Sequence, residues 1–173
     1  MRRVPQTIEA ETLEQIRMNI AFEQMIVAVL AGAFVGGGLT LLLKLADVLI
    51  AVELSFNGLI GVFLDTLFVS FMIFLIGFFA SVAVGAPLFT ALEKRKRRNM
   101  WPYLAASMGV AIAAFIFIAG GLPAPKDATL ARLSAIFIPA IVVAVVFARL
   151  MQPHWRAAAQ RDARAEENLY RLH

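Results

Sequence analysis

Four long apolar stretches alternate with polar segments along the chain and organise it. Uncharged or nearly uncharged runs cover residues 25–43, 66–86, 104–122 and 133–151, and the second of them extends to residue 92. Each run holds about 20 residues, the length that a helix needs to cross the hydrocarbon core of a bilayer. The pattern therefore predicts an all-α integral membrane protein, a four-helix bundle of four transmembrane helices within residues 25–151.

The two ends of the chain are polar and helical in pattern. In residues 1–24 the apolar positions Leu13, Ile16 and Ile20 follow helical spacing, which predicts an amphipathic N-terminal helix. Residues 152–173 are rich in alanine, arginine and glutamate, and we expect a separate C-terminal helix in which Pro153 is one of the first residues.

Residues 45–57 lie between the first and second apolar runs and have a mixed character. They are mostly apolar, yet they contain Asp47 and Glu53 and follow Lys44. A helix that crossed the membrane here would carry Glu53 near its centre, at a cost of about 2.5–3.5 kcal/mol. We therefore expect an extra interfacial helix, with a re-entrant or spanning segment as the alternatives. Asn57 and Gly58 then predict a turn into the second transmembrane helix.

Small residues recur at every fourth position in the apolar runs. Such spacing lets two helix backbones approach closely in a membrane, so these residues are candidates for helix packing. They serve either contacts inside the bundle, which we favour, or a dimer interface. The candidates are Gly32, Gly36, Gly77, Ser81, Gly85, Ala140 and Ala144. Pro87 ends the second small-residue series and should kink or end the regular helix.

A cationic run between the second and third apolar stretches sets the orientation. The run comprises Lys94, Arg95, Lys96, Arg97 and Arg98, and Trp101 follows as an aromatic anchor at the membrane interface. Most of the 16 lysine and arginine residues fall in this run and in the two termini. The positive-inside bias therefore predicts that both termini are cytoplasmic, and the composition favours a bacterial inner membrane.

The composition removes several classes of chemistry. The chain is 61% hydrophobic with a mean hydropathy of +0.79, contains no cysteine, and has only two histidines, His154 and His173, both in the polar tail. Disulfides, thiolate metal sites and cysteine nucleophiles are thereby excluded. No nucleotide-binding or zinc-protease motif is present, so we expect no enzyme, metal or cofactor. The net charge of +4 is assigned to topology and to anionic lipid head groups rather than to nucleic acid.

Two functional hypotheses from different classes remain. The uncharged span interiors and the small-residue faces favour an accessory, assembly or regulatory subunit that acts by helix–helix contacts, with a protein partner or self-association in the membrane. The alternative is a small homo-oligomeric transporter or channel, in which Asp65, Asp47 and Glu53 form an outer vestibule for an ion, a proton or a substrate. A third possibility is that lipid binding by the cationic run is itself the function.

Overall fold

The structure, a computed structural model, describes residues 6–50, 55–118 and 130–171. Almost all of these residues are helical, and no β-strand occurs among them. The elements are α1 (Gln6–Ile50), α2 (Phe56–Ala80), a π-helical turn (Ser81–Gly85), α3 (Ala86–Lys94), α4 (Trp101–Ile118) and α5 (Leu130–Arg171). The all-α class predicted from the sequence is confirmed.

Three of the helical segments are long and apolar enough to cross a membrane. They are Gln15–Ile50, Phe56–Lys94 and Leu133–Arg164, and a shorter apolar helix covers Trp101–Phe117. At about 1.5 Å per residue each of the three exceeds the roughly 30 Å thickness of a hydrocarbon core. These lengths and compositions indicate an integral membrane protein.

Helix α1 corrects the expected division of the first 57 residues. Residues 6–50 form one helix, so no break separates the polar N-terminal part from the first apolar run, and residues 45–50 continue the same helix. Residues 45–50 therefore do not form the separate helix that was expected over 45–57, and an interfacial position for them stays a prediction. No glycine or proline follows Gly38 within α1, and the leucine-rich sequence there favours continued helix. Residues 51–54, including Glu53, lie outside the described part of the chain.

The predicted turn at Asn57 and Gly58 is also wrong, because both residues belong to the first turn of α2. Ser55 is the N-cap of this helix, and its side-chain oxygen accepts a hydrogen bond from the Gly58 N–H at 3.1 Å. A serine at this position satisfies one of the amide groups that a helix start leaves without a partner.

Pro87 interrupts the regular helix, as expected. Ser81–Gly85 forms a π turn, and the Ala86 N–H donates to the Ser81 carbonyl five residues earlier. Pro87 lies in the first turn of α3. Its ring would clash with the carbonyl four residues back in a regular α-helix, and a wide turn relieves that crowding.

Helix α5 corrects the expected boundary at residue 152. One helix runs from Leu130 to Arg171, with Pro139 and Pro153 inside it. Pro153 is exposed on the surface, and good helix formers follow it, so its missing N–H does not end the helix. The fourth apolar run and the C-terminal segment therefore belong to one continuous helix.

Helix α1 is the centre of the bundle and packs against both α2 and α5, while α4 packs against α5. Close backbone approach occurs at Gly36: a Cβ atom there would lie 2.5 Å from Ile73 Cδ1 and 2.8 Å from Pro139 Cγ. The buried core continues from this contact towards the end of the bundle that carries Arg17, the cationic run and residues 154–164, here called the basic end. Its largest members are Met25, Phe89, Tyr103, Phe147 and Met151.

Candidate functional site

A network of ion pairs joins four segments at the basic end. Arg98, in the connection between α3 and α4, donates from Nη2 to Glu93 Oε1 at 3.1 Å and from Nη1 to Asp162 Oδ2 at 2.9 Å. Arg17 of α1 donates from Nη1 to the same Glu93 oxygen at 3.1 Å. Charged hydrogen bonds of this kind are about twice as strong as neutral ones. We call these four residues the Arg98 network.

The backbone after α3 turns the cationic run so that Arg98 faces inward. The Arg97 N–H donates to the Leu92 carbonyl and the Lys96 N–H to the Glu93 carbonyl, both at 2.9 Å. Lys96 has a φ of 53°, in the left-handed region. These two bonds and the left-handed residue form a Schellman motif, which ends a helix and reverses the chain over its last turn. Arg98 is thereby returned towards Glu93.

The charges of the network are mutually stabilised. Arg98 has only 11% of its side chain exposed. Burial opposes its charge, but the hydrogen bonds that it donates to Glu93 and Asp162 outweigh burial and raise the pKa of the guanidinium. The hydrogen bond from Arg98 in turn lowers the pKa of Asp162. Arg98 Nε is buried and has no hydrogen-bond partner among the described residues.

An aromatic cluster lies at the same end between α4 and α5. The ring centroids of Tyr103 and Phe147 are 4.9 Å apart, and Trp155 stacks on Tyr103 at 5.9 Å. Tyr103 and Phe147 are buried. Aromatic pairs at these distances stabilise beyond the area that they bury. The cluster fixes α4 against α5, and Trp101, the predicted interface anchor, remains exposed outside it.

An open cleft of about 210 Å³ separates α1 from α5 at the basic end, and we call it the α1–α5 cleft. Ile16, Ile20 and Met151 contribute apolar walls. The polar lining residues are Arg17, Glu93, His154 and Arg161. The cleft therefore combines an apolar interior with a mainly cationic rim.

Two of the sequence-predicted vestibule residues, Asp47 and Asp65, lie at the opposite end of the bundle. Lys44 of α1 donates a hydrogen bond to Asp65 of α2, and the two form a solvent-exposed ion pair. Asp47 is exposed on α1, and Glu53 is outside the described residues. Among the described residues no group of three or more histidine, aspartate or glutamate side chains could hold a metal ion.

The predicted packing residues occupy helix contacts to different degrees. A Cβ atom on Gly32 would meet Val143 Cγ2 at 2.5 Å, one on Gly77 would meet Val29 Cγ1 at 2.8 Å, and one on Gly85 would meet Met25 Sδ at 3.0 Å. Gly36 makes the contacts given above with Ile73 and Pro139. Of the other candidates, Ser81 donates to the Gly77 carbonyl at 2.8 Å, Ala144 is buried and Ala140 is half-buried.

The cationic run does not act as one unit. Lys94, Arg95, Lys96 and Arg97 are exposed, whereas Arg98 is drawn into the network. Sequence reasoning treated the five residues alike and missed Glu93 and Asp162 as partners. The sequence did contain an indication of this pairing: Glu93 directly precedes the cationic run, and Asp162 lies within the basic C-terminal segment.

The Arg98 network is suited to holding helices in fixed positions rather than to covalent chemistry. Its members are already paired with one another, and within the described residues the network includes no hydroxyl or imidazole. The open cleft beside it has room for another molecule. No family model matches the chain, and no curated protein or solved structure shows significant similarity to it.

Proposed function

We propose that the chain is a four-span protein of a bacterial inner membrane, with both termini cytoplasmic, that serves as an accessory, assembly or regulatory subunit of a larger membrane complex. In this proposal α4 is the third span and α5 the fourth. The single observation that carries the functional part is the unpartnered outer face of α2.

This outer face is a continuous helical stripe. In the most apolar window of the Phe56–Lys94 segment only 6% of the residues are buried, against 33% in the corresponding window of α1. The exposed positions recur at intervals of three and four residues, which places them on one side of a helix. They are Ile60, Phe63, Leu64, Leu67, Phe68 and Phe71.

The other side of α2 already contacts α1. Val62 and Thr66 are buried there, Ile73 meets Gly36, and Gly77 meets Val29. Helix association in a membrane depends on van der Waals packing, and three phenylalanines provide a large surface for it. Because the inner face holds α2 in place, a partner helix can dock without first ordering it.

The interior of the bundle supports a protein that works by contacts. Hydroxyl groups in the apolar helices donate to carbonyls of their own helix, four residues earlier: Thr66 to Val62, Ser70 to Thr66, and Ser81 to Gly77, each at 2.8 Å. A hydroxyl bonded in this way has its hydrogen committed to its own helix and does not donate it to a passing solute. The exposed Lys44–Asp65 pair likewise gives Asp65 a structural partner.

The test is purification from native membranes in mild detergent, followed by mass determination and identification of co-migrating proteins. We expect a stoichiometric larger partner with the wild-type chain, and its loss with the double variant Phe68→Ala/Phe71→Ala. Phe34→Ala is the matched control, because Phe34 is 86% exposed on α1, outside the stripe. Unchanged helix content and thermal stability would show that the double variant still folds.

A homo-oligomer without a partner would contradict the subunit proposal. In that case flux into liposomes, compared between the wild type and Asp65→Asn, tests the transporter alternative. Under our proposal Asp65→Asn leaves complex assembly intact and no flux depends on it. Partner loss with Phe34→Ala as well would mean that the assay reports general loss of apolar surface.

A further inference from the structure

The α1–α5 cleft lies where the apolar part of α5 gives way to its polar part. Met151, at the end of the fourth apolar run, lines the cleft and is 3% exposed, and Arg161 lines it ten residues later. Ten helical residues span about 15 Å, which exceeds the roughly 5–8 Å depth of one lipid head-group layer. The cleft thus has its apolar walls towards hydrocarbon and its cations towards water.

Among the charged residues that line the cleft, one cation is available to bind an anion. Glu93 is the single acid among the lining residues, and its Oε1 already accepts from both Arg17 and Arg98. Arg161 is exposed and makes no hydrogen bond or ion pair with any residue that the structure describes. His154, one helical turn after Met151, also faces the cleft. An anion at the rim would therefore meet open donors.

We propose that the α1–α5 cleft binds an anionic phospholipid, with the lipid phosphate at Arg161 and at the N–H groups of Arg17 that do not bind Glu93, and with acyl carbons against Ile16, Ile20 and Met151. An arginine fork matches the geometry of a phosphate, and the isoleucine and methionine side chains offer a surface that a free phosphate ion cannot use. A zwitterionic lipid carries no net charge to satisfy the rim. This site is distinct from the exposed residues of the cationic run, and it does not depend on the proposed partner of α2.

Native mass spectrometry of the full-length chain tests the proposal. The chain is delipidated in mild detergent and mixed at a fixed ratio with phosphatidylglycerol or with phosphatidylcholine, and the retained lipid is counted. We expect preferential retention of phosphatidylglycerol. Arg161→Gln should weaken it about tenfold, the effect of losing one charged hydrogen bond. Arg156→Gln is the matched control, because Arg156 is exposed on the same helix but does not line the cleft.

Two further arms separate the lipid from other anions. Ala157 lines the cleft, so Ala157→Trp should fill it and reduce retention while every charge remains. Excess inorganic phosphate should fail to displace the lipid, because phosphate makes no apolar contacts. Equal loss with Arg156→Gln and Arg161→Gln, equal retention of the two lipids, displacement by phosphate, or full retention by a folded Ala157→Trp variant would each overturn the proposal.

Discussion

Arg98 and Asp162 are 64 residues apart in the chain, yet Nη1 of the arginine lies 2.9 Å from Oδ2 of the aspartate. This contact ties the connection between α3 and α4 to a part of α5 that lies well beyond its apolar stretch. Through Glu93 the tie extends to Arg17 of α1. The helices at the basic end are therefore held by charge as well as by the aromatic cluster.

Replacing Arg98 with glutamine should lower the stability of the detergent-solubilised protein by about 1–2 kcal/mol. The change leaves Asp162 without its hydrogen-bonded cation and Glu93 with Arg17 alone. The loss is smaller than the 3–5 kcal/mol of a fully buried pair because Asp162 is one-third exposed. Thermal denaturation measures the effect. Arg95→Gln, an exposed change in the same run, should leave the transition temperature unchanged, and equal losses in both variants would contradict a special role for Arg98.

Asp162 should make stability depend on pH in the acidic range. Its pKa is lowered in the folded protein by the hydrogen bond from Arg98, relative to about 3.9 for an unperturbed aspartate. The stabilisation is thus fully present above the unfolded pKa and is lost as the pH falls through the folded pKa. The difference in transition temperature between the wild type and Asp162→Asn should shrink as the pH is lowered from about 7 to about 3. A constant difference over that range would show that Asp162 is not ionically coupled.

Two glycines in α1, Gly36 and Gly38, should respond differently to replacement by alanine. A Cβ on Gly36 would meet Ile73 and the rigid ring of Pro139, so Gly36→Ala should cost about 1–3 kcal/mol by overpacking. A Cβ on Gly38 meets nothing within 4 Å, and Gly38→Ala should be neutral or stabilise by up to about 1 kcal/mol through helix propensity. Thermal denaturation of both variants decides this. Equal effects would mean that α1, α2 and α5 do not meet as described.

The absence of cysteine from the sequence makes orientation measurable with a single introduced thiol. Arg95 is exposed at the basic end, and Asn57 is exposed in the first turn of α2 at the other end. In intact cells a membrane-impermeant maleimide should label Asn57→Cys, and it should label Arg95→Cys only after permeabilisation, because the cationic run favours the cytoplasm. The reverse pattern would overturn the proposed topology.

The hydrophobic pattern predicted the class of the protein but not the ends of its helices. An apolar run marks where charge is excluded from hydrocarbon, and helix propensity does not stop at that limit. Helix α1 accordingly continues past Lys44 to Ile50, and Lys44 finds a partner in Asp65 instead of marking a boundary. The same reasoning explains why α5 passes through Pro153.

The Arg98 network could not be predicted because pairing between distant residues depends on the tertiary fold. In the sequence Arg98 is the last of five similar cations, and only the Schellman turn at Lys96 distinguishes it. A glycine at this position would have indicated the left-handed residue that follows a helix end. A lysine within a cationic run gives no such indication. The small-residue spacing was more informative, since steric fit at Gly32 and Gly36 depends on local residue size.

The π turn at Ser81–Gly85 determines the direction in which the side chains of α3 point from the helix axis. One residue more per turn than in a regular α-helix rotates the subsequent side chains by about 100° around the axis. With the side chains rotated in this way, Phe89 packs against α1 and Glu93 pairs with Arg17. Deleting a single residue from the turn would restore regular winding and carry Glu93 roughly a quarter-turn away from both arginines. The ion pairs of the Arg98 network thus depend on the one extra residue in this turn, which belongs to an otherwise apolar helix.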